Sequence, residues 1–143
     1  MSRVVHWLPL AHHRREQLEH CLLLPLGGQR RLALCARCTG FHTALLVALV
    51  LQAWLHLGRV GTADWIIAIS GIFPALFDWG LSYLGRRRGS NAMRLATGVV
   101  LGIAHGRALW LFIREPRCEV FWVQIGLCAF GVLAFELVRR LRI

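Results

Sequence analysis

Four apolar runs, each close to the length of a bilayer crossing, set the main constraint on this chain. They extend over about 39–57, 65–84, 92–113 and 119–138, and a helix needs about 20 mostly apolar residues to traverse the hydrocarbon layer. The links between them are short, so neighbouring helices are expected to alternate in direction. Composition agrees. Apolar residues make up 57% of the 143 and charged residues only 17%, too little polar surface to cover a water-soluble globule of this size. A disordered chain and a disulfide-stapled secreted module are excluded on the same grounds. The expected fold is all-α: a polytopic integral membrane protein of four transmembrane helices in an antiparallel bundle. A Cys-containing N-terminal segment, residues 1–38, precedes them at the cytoplasmic face.

Charge sets the orientation. All 17 basic residues are arginine, against 7 acidic ones, giving a net charge of +10. With the N-terminus inside, the inner face collects thirteen of them: Arg3, Arg14, Arg15, Arg30, Arg31, Arg37, Arg86, Arg87, Arg88, Arg94, Arg139, Arg140 and Arg142. The outer face holds three, Arg59, Arg114 and Arg117, and Arg107 is left within the third span. Positive charge gathers on the cytoplasmic side of multi-span proteins, so both termini are expected in the cytoplasm and the protein in the cell's inner membrane. The arginines alternate with apolar runs and form no single basic face, so no nucleic-acid partner is expected. No apolar stretch of signal-peptide length opens the chain.

Cys21, Cys35 and Cys38 fall on the arginine-rich side, where a reducing environment disfavours a disulfide. Thiolates at C-x2-C spacing are a usual start of a zinc site, and an iron–sulfur cluster is the other reading of the same ligands. Cys21 supplies a third sulfur. A fourth ligand comes from His42 or, alternatively, His20. On a helix starting near Cys35, the residues Cys35, Cys38 and His42 lie within an arc of about 60°. A bland packing role for buried, reduced cysteines competes with this reading.

A carboxylate inside a span is costly and marks a functional path by default. Asp78 is such a residue, on a stripe with Ser70, Pro74 and Ser82, and Pro74 is expected to kink that span. Arg94 is its expected partner. Asp78 would orient Arg94 or serve as a general base, which makes it the one catalytic candidate. Arg37, Ser90, Asn91 and Arg94 gather where helix N-termini expose N–H groups, which suits an anion such as a lipid headgroup. Arg107 is expected to snorkel to the outer interface. Gly98, Gly102 and Gly106 form a small-residue stripe that admits close helix packing within the chain, or a homodimer or membrane-protein partner.

The run Leu34-Cys35-Ala36-Arg37-Cys38-Thr39-Gly40 resembles the signature of a family of small bacterial and archaeal membrane proteins known as domain of unknown function 2085. The upstream Cys21, and Asp78 followed by Ser90, Asn91, Arg94, Thr97 and Gly98, resemble its remaining motifs. The chain departs from that pattern in placing His20 before the upstream Cys and Leu22 after it, and in carrying His42 where an aromatic Tyr is usual. The resemblance implies a multi-span membrane protein and names no reaction.

The leading expectation is therefore a cytoplasm-facing metal–thiolate site, zinc by preference, beside an anion or lipid-headgroup pocket, which binds or processes an anionic lipid or small substrate. The alternatives are a thiol–quinone oxidoreductase using Cys35 and Cys38, and a non-catalytic accessory or assembly subunit.

Overall fold

A computed structural model describes residues 3–6, 19–25, 30–58, 60–85 and 90–141. Its elements are three short strands, β1 (Arg3–His6), β2 (Cys21–Pro25) and β3 (Arg30–Cys35), then five helices, α1 (Ala36–Trp54), α2 (Thr62–Ser70), α3 (Ile72–Tyr83), α4 (Asn91–Arg114) and α5 (Glu119–Arg140). Four stretches are long and apolar enough to cross a membrane: α1, α2 with α3, α4, and α5. Their outer faces carry Leu46, Val50, Trp54, Phe73, Phe77, Phe130 and Leu133, all exposed. Only a hydrocarbon solvent makes so large an apolar surface tolerable.

The second span is built of two consecutive helices. Pro74 has no N–H to give and its ring crowds the carbonyl four residues back, at Ser70. The regular helix lapses for one residue there, with Gly71 between α2 and α3. Gly71 itself keeps right-handed helical dihedrals, φ −68° and ψ −17°, and its N–H bonds the Ile67 carbonyl at 3.0 Å, so the span continues through it. Other ends follow local rules. Ser90 caps α4 by accepting from the Met93 N–H at 3.2 Å. Gly85, at φ 68°, follows the end of α3 in the left-handed conformation that glycine adopts freely.

α1 lies along α4 with almost no side chain between them. A Cβ on Gly98 would come within 2.4 Å of the Arg37 carbonyl oxygen, and one on Gly102 within 2.4 Å of the Phe41 oxygen. Gly106 meets Ala48 and Leu45, and Gly40 meets Leu95. Residue numbers climb together along this seam, so α1 and α4 run in the same direction. The second span runs with α5, since Ala68, Leu76 and Gly80 meet Gln124, Gly131 and Phe135 in turn. The glycine stripe is therefore occupied by α1 and leaves no face for a second copy. Of the two readings of Gly98, Gly102 and Gly106, close packing within the chain is the one seen, with α1 in the place a homodimer or membrane-protein partner would take.

The N-terminal segment holds the one element class that was not expected. Strand β3 sits between β1, parallel to it, and β2, antiparallel to it, in the order β1-β3-β2. β3 runs straight into α1, and Cys35 is both its last residue and the N-cap of the helix.

Candidate thiol and arginine site

The three cysteines meet where the small sheet joins the helices. Cys21 and Cys35 are direct partners across the antiparallel β2–β3 pair, which puts their side chains on the same face. Both are buried, at 4% and 3% exposed. Cys38 lies one helical turn past Cys35, and the two thiols are hydrogen-bonded. Among the described residues none of the three forms a disulfide. Burial and then the neighbouring Cys35 push the Cys21 thiol above its ordinary value, while Arg94 pulls it back.

Arg94 is the cation beside Cys21. It is 5% exposed and donates to His20 Nδ1. Among the described residues no carboxylate pairs with it. Asn91, one turn earlier on α4, donates to the Cys21 carbonyl at 3.1 Å and ties β2 to the helix start. Thr39 donates to the Cys35 carbonyl at 2.9 Å. His42 Nδ1 lies 2.7 Å from the Cys38 carbonyl of its own helix.

Asp78 is not the partner of Arg94. Its carboxylate accepts from Arg37, at the start of α1. Arg94 is turned toward β2 and held at His20, so the guanidinium available to the end of α3 comes from α1. The pair joins α1 to α3 beside the thiols. Arg37 Nε and Asn91 Oδ1 are buried without a hydrogen-bond partner among the described residues. Ser90 serves as a cap. The structure thus brings Cys21, Cys35, Cys38, His20, Arg37, Asp78, Asn91 and Arg94 to one end of the bundle. It gives most of the anticipated anion-binding groups a partner within the protein. Among the described residues no group of three or more His, Cys, Asp or Glu side chains is arranged to hold a metal ion. The thiols are neighbours rather than a finished coordination sphere.

A family described as predicted membrane protein (DUF2085) matches residues 16–107. The chain belongs to this family. The matched span takes in the DUF2085 chain's β2, β3, α1, both halves of the second span and the part of α4 that bears Arg94, so every member of the thiol–arginine cluster lies within it. It also takes in Arg107 and stops short of α5. No curated protein and no solved structure matches the DUF2085 chain.

A second polar cluster, at the far end of the bundle, went unforeseen. Arg107 does not snorkel. Its guanidinium binds Asp64 through Nε at 2.6 Å and a second nitrogen at 3.2 Å, and donates to Gln52 Oε1 at 3.0 Å. Asp64 also accepts from the Gly61 N–H at 2.8 Å. Gln52 donates to the Ala48 and Gly106 carbonyls. Nearby, His105 and Gln124 Oε1 are 2.9 Å apart, and Gln124 donates to the Ala68 carbonyl at 3.2 Å. Asp64 pre-empts Arg107 because it sits at the start of α2, directly across from it. The signal was in the sequence: Gln52 and Gln124 are polar residues inside apolar runs, and a buried amide needs a partner.

Proposed function

We propose that this multi-pass membrane protein holds a thiophilic metal ion, zinc by preference, through Cys21, Cys35 and Cys38 at the cytoplasmic end of its bundle. The observation that carries the reading is Arg94, a buried cation beside Cys21 with no carboxylate to balance it among the described residues. A buried charge must be compensated. Three thiolates and one divalent ion leave a single negative charge, which one guanidinium cancels. Three neutral thiols leave Arg94 without a balancing negative charge among the described residues.

His42 is the better fourth ligand. Its Nδ1 is engaged with the Cys38 carbonyl, the kind of bond that orients a histidine and leaves Nε2 to a metal. His20 Nδ1 already accepts from Arg94, which places the remaining proton on Nε2 and removes its lone pair. In this reading Arg37, Ser90, Asn91 and Arg94 line a polar pocket beside the metal. The unpartnered Arg37 Nε–H faces a small anion or headgroup there, and Asp78 holds Arg37 in place.

Elemental analysis of the purified protein tests the proposal. About one zinc per chain is expected in the wild type and little in Cys35→Ser. Less than about 0.2 metal per chain, with Cys35→Ser unchanged in stability, removes the idea.

A dithiol reading draws on one specific feature. Cys35 is the N-cap of α1 and Cys38 is its hydrogen-bonded neighbour one turn on, and thiols at a helix N-terminus are activated by it. Such a site would pass electrons to a quinone. Labelling of Cys35 by an impermeant thiol reagent in intact cells favours that reading, because it places the pair on the oxidising side.

A further inference from the structure

We infer that the groove between α3 and α5 is a binding site for one anionic phospholipid, an acyl chain lying among its phenylalanines and the phosphate resting at Arg139 and Arg140. The site is separate from the thiols and does not depend on what they bind. The groove encloses about 810 Å3, within the ~300–1,000 Å3 of ordinary ligand sites. Phe73, Phe77, Phe130 and Phe135 form its walls, Gly131 its floor, and Ser70 is the single polar side chain in the lining.

The groove opens sideways, not toward water. Phe73, Phe77 and Phe130 are 62%, 64% and 71% exposed, and they lie in the middle of spans that the hydrocarbon surrounds. What reaches it is therefore a chain from the bilayer. What selects the headgroup is the charge at one end. Leu127, Gly131 and Phe135 line the groove along a single ridge of α5, and one more turn along that ridge brings Arg139.

Arg139 lies 5.3 Å over the ring of Tyr83. Arg139 and Arg140 both bind Glu136, which also accepts from Tyr83. Two guanidiniums against one carboxylate leave a net positive charge. Both arginines remain well exposed, at 49% and 73% of their side chains, with N–H groups left to donate. An apolar slot with a cationic rim at one end complements an acidic lipid, and cationic side chains at the surface favour such lipids.

Native mass spectrometry of the detergent-purified protein tests this, with phosphatidylglycerol and phosphatidylcholine of identical acyl chains as probes. Phosphatidylglycerol should be retained more strongly, by about fivefold for each net positive charge at the rim. Arg139→Gln with Arg140→Gln should abolish that preference while leaving chain binding. Ser70→Trp, at an exposed position, should block the groove and weaken both lipids without loss of helical circular dichroism. Equal retention of the two lipids, or full retention in Ser70→Trp, overturns the assignment. So does a two-chain species that Ser70→Trp dissolves, because the groove then holds a second copy.

Discussion

Replacing Asp64 by asparagine should uncouple one end of the bundle. Asp64 and Arg107 share two hydrogen bonds, at 2.6 and 3.2 Å, and their side chains are 8% and 16% exposed. Asparagine keeps the shape and, with its oxygen toward the Gly61 N–H, removes the charge and turns the acceptor facing Arg107 Nε into an NH2 donor. Arg107 is then a buried cation that has lost its carboxylate and keeps the Gln52 bond. Breaking a buried pair from one side costs about 3–5 kcal/mol. The residual exposure of Arg107 near the end of the bundle lowers the expected loss to about 2–3 kcal/mol.

Arg107→Met alone should cost a similar amount, because it strands the carboxylate. Asp64→Asn with Arg107→Met should lose less than the two single changes together, by about 1 kcal/mol or more, since neither charge is left alone. Equilibrium unfolding in mixed micelles, or steric trapping in bicelles, reads these differences directly. A loss under about 0.5 kcal/mol in Asp64→Asn, or strict additivity in the double variant, would refute the view that this pair welds α2 to α4.

The seam of α1 and α4 makes a second prediction. Gly102→Leu drives a side chain into the Phe41 backbone and should destabilise the monomer, whereas Gly126→Leu, at a glycine with open space around it, should be neutral; a thermal melt of the two variants separates them. Arg94→Met should lower zinc content and weaken zinc binding by about tenfold or more, read by chelator competition, because it removes the cation balancing the thiolates. Zinc affinity should rise steeply with pH, by about tenfold per pH unit for each thiol that loses its proton, in titrations at pH 6.5 and 7.5. Asp78→Asn should release Arg37 and loosen the contact between α1 and α3, measured as faster amide exchange in the first turn of α1.

The spans were legible because their signal is length and apolarity, which no local competitor overrides. The sequence places the first at 39–57 and the structure at Ala36–Trp54. The shift arises because β3 hands directly to the helix at Cys35. The sheet itself was not legible. Leu22, Leu23 and Leu24 show no alternation, and pairing β1 with β3 joins segments more than twenty residues apart. Co-location of Cys21, Cys35 and Cys38 followed from their spacing and side of the membrane, yet partner choice did not. Arg37 and Arg94 are equally plausible mates for Asp78 on charge alone, and only the turn of Arg94 toward His20 decides between them. Asp64 escaped notice because it lies just outside the apolar run that follows it, and with it went the explanation for Arg107.

X-ray absorption at the zinc edge of the purified, zinc-loaded protein probes the thiol–arginine site most directly. Three sulfur ligands at about 2.3 Å with one nitrogen at about 2.0–2.1 Å are expected, the sulfur count falling to two in Cys21→Ser. A shell of oxygen and nitrogen alone, or an unaltered spectrum in Cys21→Ser, would contradict it.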